Sequence, residues 1–219
     1  MKIYKDIEVK YNVDVLIIGG GPAGVCAAIS AARFGASTVL VEEGGFCGGM
    51  ATRGLVGPFM TCYDDDCTEQ VVKGIFDELC LRTEEKGGAI HPSKVDGMTT
   101  YSSYYIRSHC HVTPYLSETL ALTMDEMAVE AGIKLLYNVQ VVDAIREGNR
   151  ITGVIAAMKE GLAIFRAKTF IDCTGDADVA YFAGVPTWTG DKASGLMQPV
   201  TLFFEMDNLD RDTFVGTLE

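Results

Sequence analysis

Apolar positions along the chain fall into two patterns, short continuous runs and longer stretches at helical spacing. Val13 to Ile18 is a short apolar run with the character of a buried parallel strand, and it ends on glycines. A helix should follow, carrying small apolar residues (Ala27, Ala28, Ile29, Ala31, Ala32) where it lies on a sheet and stopping at the C-cap glycine Gly35. Ser37 to Val41 reads as a second strand. Further on, Asp66 and Glu69 are spaced as a capping box, and Val72, Ile75, Phe76 and Leu79 recur at helical spacing up to Gly87-Gly88. A loop from Ala89 to Val112, carrying Tyr101, Tyr104 and Tyr105, exceeds the ~12 to 15 residues at which unstructured loops become uncommon. It is expected to contain a strand or to serve as a lid or substrate wall.

Thr113 and Pro114 then read as the N-cap and first position of a helix with Leu116, Leu120, Met124, Met127 and Ala128 on one face, closing at Gly132. Its methionines fit core filling. Three strand-like runs follow, Lys134 to Ile145, Ile151 to Met158 and Leu162 to Ala167, broken by Glu147-Gly148-Asn149 and Lys159-Glu160-Gly161. Such short polar breaks predict an antiparallel meander. A separate run, Thr169 to Cys173, leads into Thr174-Gly175-Asp176 and reads as a strand returning to the parallel sheet. The fold class this predicts is α/β: a Rossmann-type parallel sheet with a βαβ unit, a helical insertion and a three-stranded antiparallel meander.

Chemistry enters at the first turn. Gly19, Gly21 and Gly24 give the G-x-G-x-x-G spacing where a strand becomes a helix. The first glycine permits the tight turn, the second admits a pyrophosphate to the backbone, and the third lets helix and strand pack closely. Free N–H groups of the first helical turn face the phosphates, and Pro22 sits where a proline sacrifices no intrahelical bond. Glu42 ends the second strand close to the spacing of about 20 residues expected for the acid that binds a ribose hydroxyl pair. A carboxylate there repels a 2′-phosphate, which disfavours NADP.

At 219 residues the chain can bury one good core and a small second one. Its formal net charge of -12 argues against nucleic acid and against an anionic membrane surface. No apolar stretch approaches the ~18 to 20 residues of a membrane span and the N-terminus lacks a signal-peptide core, so a cytoplasmic protein is expected. Seven cysteines (26, 47, 62, 67, 80, 110 and 173) form no C-x-x-C pair, which predicts free thiols in a reducing compartment. No metal site is expected, since His109, Cys110 and His111 lack further ligands at a suitable spacing.

Several segments resemble the FAD-dependent oxidoreductases, flavoproteins of the glutathione-reductase and fumarate-reductase type. They are Gly48 to Val56, Gln70 to Ile75, Ile171 to Asp176 and Ala183 to Pro186, set in a matching order of elements. The resemblance implies FAD as cofactor. It places Gly19, Gly21, Pro22, Ala23 and Gly24 at the pyrophosphate and Glu42 at the adenosine ribose, with Glu43 among the cofactor-binding residues. Gly48, Gly49, Met50, Ala51 and Thr52 would run toward the ribityl chain and flavin ring, and Val141 would meet the adenine. Cys173, Thr174, Gly175 and Asp176 would stand beside the adenosine end, with Cys173 where the family usually has alanine.

Residues 1–186 are thus expected to form the FAD-binding domain, with an insertion over about 57–131 and the meander over about 134–168. Residues 187–219 would open a substrate or cap region, with a strand over Leu202 to Met206 and a turn over Asp207 to Asp210. The later glycine-rich segment with which such flavoproteins complete the flavin site has no match here, so a second chain or a missing C-terminal half is expected to supply it. The activity implied is hydride transfer between a small organic substrate and FAD. His109, His111, Tyr104, Arg107 and Arg53 are candidate substrate contacts, and no residue stands out as catalytic. Two rival readings are a nucleotide-binding unit without redox activity and an NAD-linked dehydrogenase. The second is disfavoured because a simple NAD domain continues in alternating β and α units.

Overall fold

The first strand, β1 (Glu8–Ile18), is longer than its apolar half, because its exposed N-terminal part also finds a partner. In a computed structural model of the chain, which describes residues 6–95, 110–208, 210, 212 and 213, β1 lies between two parallel neighbours. These are β2 (Thr38–Val41) and β6 (Gly161–Asp172). With β3 (Lys134–Leu136), β4 (Gln140–Glu147) and β5 (Arg150–Met158) they form one six-stranded sheet of order β3-β2-β1-β6-β5-β4. The four strands on the β3 side run parallel, while β6-β5-β4 is antiparallel. This is the α/β architecture expected, with two changes in how the strands are cut.

The run Thr169 to Cys173 is not a separate strand. β6 is continuous over 12 residues, pairing antiparallel with β5 at one end and parallel with β1 along its length. Lys168, at the junction of the two runs, reaches sideways to Asp14 of β1 at 2.6 Å, so its charge is met on the surface without interrupting the ladder. Conversely, the run Lys134 to Ile145 is divided. Its start pairs with β2 as β3, the left-handed Asn138 (φ 55°) turns the chain, and only Gln140 onward joins the antiparallel arm.

Strand alternation divides the apolar residues between two cores. Ile17 and Leu40 face α1 (Pro22–Arg33), α2 (Ile75–Glu85) and α3 (Ser117–Glu130), meeting Val25, Ile29, Leu79, Leu120, Met124 and Met127. The methionines are fully buried core residues, as their helical spacing predicts. Leu16, Ile18, Val39 and Val41 face the other way, onto Val141, Val154, Ala156, Phe165 and Val179 of α4 (Asp178–Phe182). The antiparallel arm and α4 therefore cover the face that the helices leave open. An ion-pair network ties the helices at the surface. Arg33 of α1 grips Glu78 of α2 with both guanidinium nitrogens (2.6 and 2.8 Å), and Arg82 bridges Glu78 to Glu130 of α3.

Three expectations in the insertion are corrected. The helix begins at Ile75, not Asp66. Asp64 takes the N–H groups of Thr68 and Glu69 and the Thr68 hydroxyl, closing a tight loop, and Gly74 (φ 72°) turns the chain into α2. Thr113 does not cap α3. Its N–H and C=O exchange hydrogen bonds with Phe59 in a short bridge, and the helix starts three residues after Pro114, at Ser117. Finally, the thiols are not all free, since Cys67 and Cys110 form a disulfide. The Phe59–Thr113 bridge and the stack of Tyr63 on His111 (centroids 3.9 Å apart) lay the two segments side by side, a juxtaposition that no cysteine spacing reveals. The other five cysteines are free.

Most of the long loop lies outside the described residues, including Tyr101, Tyr104, Tyr105, Arg107 and His109. Beyond α4 the chain is exposed, with Val200, Leu202, Phe204 and Met206 in solvent. The strand expected over 202–206 is not formed, because no neighbouring strand among the described residues pairs with it. Among the described residues, no helix is long and apolar enough to cross a membrane.

Candidate functional site

β1, β2 and β6 end level with one another. Ile18 pairs with both Val41 and Asp172, the Gly19 N–H donates to the Val41 carbonyl (2.8 Å), and the Cys173 N–H donates to Ile18 (2.7 Å). A cleft of about 590 Å³ opens at these carboxyl ends, where open parallel sheets hold their ligands.

The glycine turn forms its floor. Gly19 adopts φ 98°, and a Cβ there would run into the Cys173 carbonyl, so the turn and the end of β6 interlock. A Cβ on Gly24 would collide with the Gly19 carbonyl, which accounts for the close approach of α1. Gly21 differs. A Cβ on it meets nothing within 4 Å, so its bare side faces the cleft. Helix α1 has no side-chain N-cap and no acid in its first turn, and the Val25 N–H closes its opening turn onto the Gly21 carbonyl (3.0 Å). Its leading N–H groups and the positive end of its dipole are therefore available to an anion.

Glu42 is 5% exposed and holds the turn from below. One carboxylate oxygen accepts from Gly20 N–H (2.7 Å), the other from Gly44 N–H (2.6 Å). Each oxygen retains a further lone pair that could accept a hydroxyl. The loop after β2 then returns to the turn, with Gly48 N–H donating to the Gly20 carbonyl (2.8 Å). Gly48 and Gly49 both take positive φ (111° and 51°), and a Cβ on Gly49 would stand 3.2 Å from Gly21 Cα. Beneath this loop, fully buried Cys47 meets the Tyr137 hydroxyl (3.3 Å), which itself bonds Asp125 of α3 (2.5 Å). Burial pushes the Cys47 thiol up to about 12, so it stays protonated and inert as a nucleophile.

Of the residues singled out in the sequence, the cleft gathers Gly19, Gly21, Pro22, Ala23, Glu42, Glu43, Gly49, Met50, Val141, Cys173, Thr174, Gly175 and Asp176. Gly24, Gly48, Ala51 and Thr52 stand behind it: Ala51 is in the helical core, and the Thr52 hydroxyl donates to the Cys47 carbonyl (2.8 Å). Arg53, a candidate substrate contact in the sequence, also lines it, as do Ile18, Val41, Gly54, Val139, Gln140 and Asp178, which were not assigned to it from sequence. Ile18 and Val41 read there as core strand ends. Val139 and Gln140 directly precede Val141 and line the cleft beside it. Asp178 carries no signal beyond following Asp176 by two.

At the β6 end, Asp172 accepts from the Thr174 hydroxyl (2.7 Å) and from Ala180 N–H (3.0 Å), and Thr174 accepts from Asp178 N–H (3.0 Å), fixing the loop over Gly175. Desolvation, followed by the charges of Asp176, Asp172 and Glu43, raises the Asp178 carboxyl above the usual carboxylate range. Among the described residues, no three His, Cys, Asp or Glu side chains are grouped to hold a metal. His111 is stacked on Tyr63 and bonded to the Pro92 carbonyl (2.9 Å), outside the cleft lining. An open glycine face, an uncapped helix N-terminus and a buried acid at the end of the second strand together suit the ADP portion of a dinucleotide.

Comparison with known proteins agrees with that geometry. The family described as FAD dependent oxidoreductase matches residues 14–218. Thiamine thiazole synthase of Pyrococcus abyssi is 28% identical over 190 residues, 82% of this chain and 64% of that protein. The chain thus spans somewhat under two thirds of the length of that relative. Among solved structures, Thermovibrio ammonificans THI4 superposes with a TM-score of 0.51 at 19% identity, over 78% of this chain and 61% of that one. The aromatic hydroxylase CabE from angucycline biosynthesis gives a TM-score of 0.56 at 17% identity, over 78% and 33%. These two share the fold.

Proposed function

Because the chain belongs to the FAD dependent oxidoreductase family, whose cofactor is FAD, we propose that it is the nucleotide-holding part of an enzyme transferring hydride between a small organic substrate and that flavin. The observation that carries the reading is Gly21: conformationally ordinary, but bare toward the cleft, where a pyrophosphate needs the room. In this reading the N–H groups of the first turn of α1 hold the diphosphate, and the free lone pairs of Glu42 take the ribose hydroxyls. Val139, Gln140 and Val141 flank the adenine, and Gly49 and Met50 lead toward the flavin. When bound, FAD supplies a two-electron acceptor at its ring, and the protein's share is to bind, orient and exclude water. Residues 1–186 form the FAD-binding unit, while 187–219 begin a region that meets the substrate. A second chain, or a further segment, is proposed to complete the flavin side. The exposed apolar run from Val200 to Met206 supports this, and a cytoplasmic location fits the same reading.

The test is a visible-absorbance titration of the purified chain with FAD. A perturbed flavin spectrum that saturates at one equivalent, and is lost in Gly21→Val, is the expected result. An unperturbed spectrum at high protein concentration, together with no retention of FAD in equilibrium dialysis, would sink the proposal. The name of the Pyrococcus abyssi relative offers a second reading, formation of a thiazole, favoured by 28% identity over most of this chain. A thiazole product detected by mass spectrometry, without flavin reduction by any substrate, would favour it.

A further inference from the structure

We propose that Arg53 is a phosphate-recognition residue of this cleft, held ready by Glu43 and exchanging that carboxylate for the diphosphate of the incoming nucleotide. The inference rests on the FAD reading above and adds to it a residue that the glycine motif does not contain.

Arg53 is the one basic side chain among the described residues lining the cleft, which it shares with the carboxylates of Glu42, Glu43, Asp176 and Asp178. A diphosphate entering this cleft meets a negative wall, and the helix N-terminus opposes that wall with partial charges only. The backbone that carries Arg53 is tied to the glycine turn. Gly48 is bonded to Gly20, Gly49 abuts Gly21, and Gly54 N–H returns to the Gly49 carbonyl (3.1 Å). Arg53 therefore leaves a loop whose position is set by the pyrophosphate turn itself.

Its guanidinium is also given room. A Cβ on Gly44 would lie 2.8 Å from Arg53 Nη1 and 2.9 Å from Glu42 Oε1, and Gly44 is not among the residues with positive φ. A side chain at Gly44 would have to displace the Arg53 guanidinium or Glu42 Oε1, so the bare position leaves the guanidinium where it lies. Arg53 Nη2 meets Glu43 Oε1 at 2.7 Å, with half of each side chain in solvent. An exposed pair of this kind is held weakly. A phosphate offers the planar guanidinium fork two charge-assisted bonds in place of one. Exchange of partner then costs little and leaves Glu43 to water.

Calorimetry of the full chain with ADP, FAD and adenosine tests this, with ligand-observed NMR for adenosine and circular dichroism to confirm folding of each variant. Arg53→Gln should weaken ADP and FAD by about 10-fold and leave adenosine unchanged, while Arg53→Lys recovers part of the loss. Glu43→Gln should tighten ADP, and Arg53→Gln should still weaken ADP when made in the Glu43→Gln background. Equal losses for ADP and adenosine, or an Arg53→Gln effect that vanishes once Glu43 is neutralised, would overturn the proposal, since Arg53 would then only pack the loop or mask Glu43. Wild-type protein that binds neither ADP nor FAD would overturn the FAD reading itself, whereas wild-type binding that is indifferent to Arg53→Gln would overturn this inference alone.

Discussion

A side chain at Gly21 would point into the open cleft, and one at Gly24 would be driven into the Gly19 carbonyl, so the same substitution should act on binding at one position and on folding at the other. Gly24→Val is expected to destabilise the chain by about 1–3 kcal/mol, the usual cost of forcing extra carbons into packed backbone. Gly21→Val should keep its urea midpoint near wild type while losing FAD. Equal midpoints for the two variants would refute the distinction. Glu42 is a less clean probe than its spacing suggests, because it also takes the N–H groups of Gly20 and Gly44, and removing it disturbs the turn as well as any ribose contact. The glycines and Glu42 were legible in the sequence because a fixed chemical need dictates their identity and separation. Arg53 was legible only as a candidate substrate contact and Asp178 not at all, since an isolated charge on a loop carries no pattern until the loop is placed.

Elements were legible where local periodicity and local partners coincide, as in the strand, helix and second strand of the glycine-turn unit. They were misread where a distant partner decides the outcome. The run Thr169 to Cys173 was read as separate but continues β6, with Lys168 at the junction accommodated by Asp14, more than a hundred positions away, while Thr113 resembled a cap and is claimed by Phe59. Similar reasoning applies to the surface joining α1, α2 and α3. Glu78 has its carboxyl lowered chiefly by the Arg33 hydrogen bonds, so the folded state favours its charged form. A depressed pKa contributes stability above the unfolded value, about 4.3, and loses it as pH falls through the lower folded value. Glu78→Gln should therefore cost about 1 kcal/mol at neutral pH, the scale of partly exposed pairs, and the difference from wild type should shrink toward zero below pH ~4. Urea denaturation of both proteins across pH 3 to 7 would check this, and a difference that persists at pH 3 would assign the effect to packing.

At the scale of the molecule, the cleft is an assembly of pieces widely separated in sequence: a turn near residue 20, a loop near 50, a strand start near 140 and a loop near 175. The helical insertion lies between these pieces and is fastened within itself by the Cys67–Cys110 disulfide and the Tyr63–His111 stack. The strand expected beyond residue 200 is unpaired for the reason that governs every strand here: apolar alternation needs a neighbour before it becomes structure.

The place of β6 in the sheet has a consequence for the order in which the protein can be built. Its ladder with β1 joins the beginning of the chain to residues made far later, and the Lys10–Glu160 ion pair beside it spans 150 positions. On a ribosome, the glycine turn emerges early with one flank uncovered and waits for most of the remaining sequence before Cys173 can settle against Gly19. Contacts of such long range are slow to form and leave apolar strand faces open in the meantime. Cofactor loading should accordingly be a late event. In a series of stalled nascent chains, retention of labelled ADP is expected only once the residues through α4 have cleared the exit tunnel, and retention by chains that end before β6 would show that the nucleotide site matures without it.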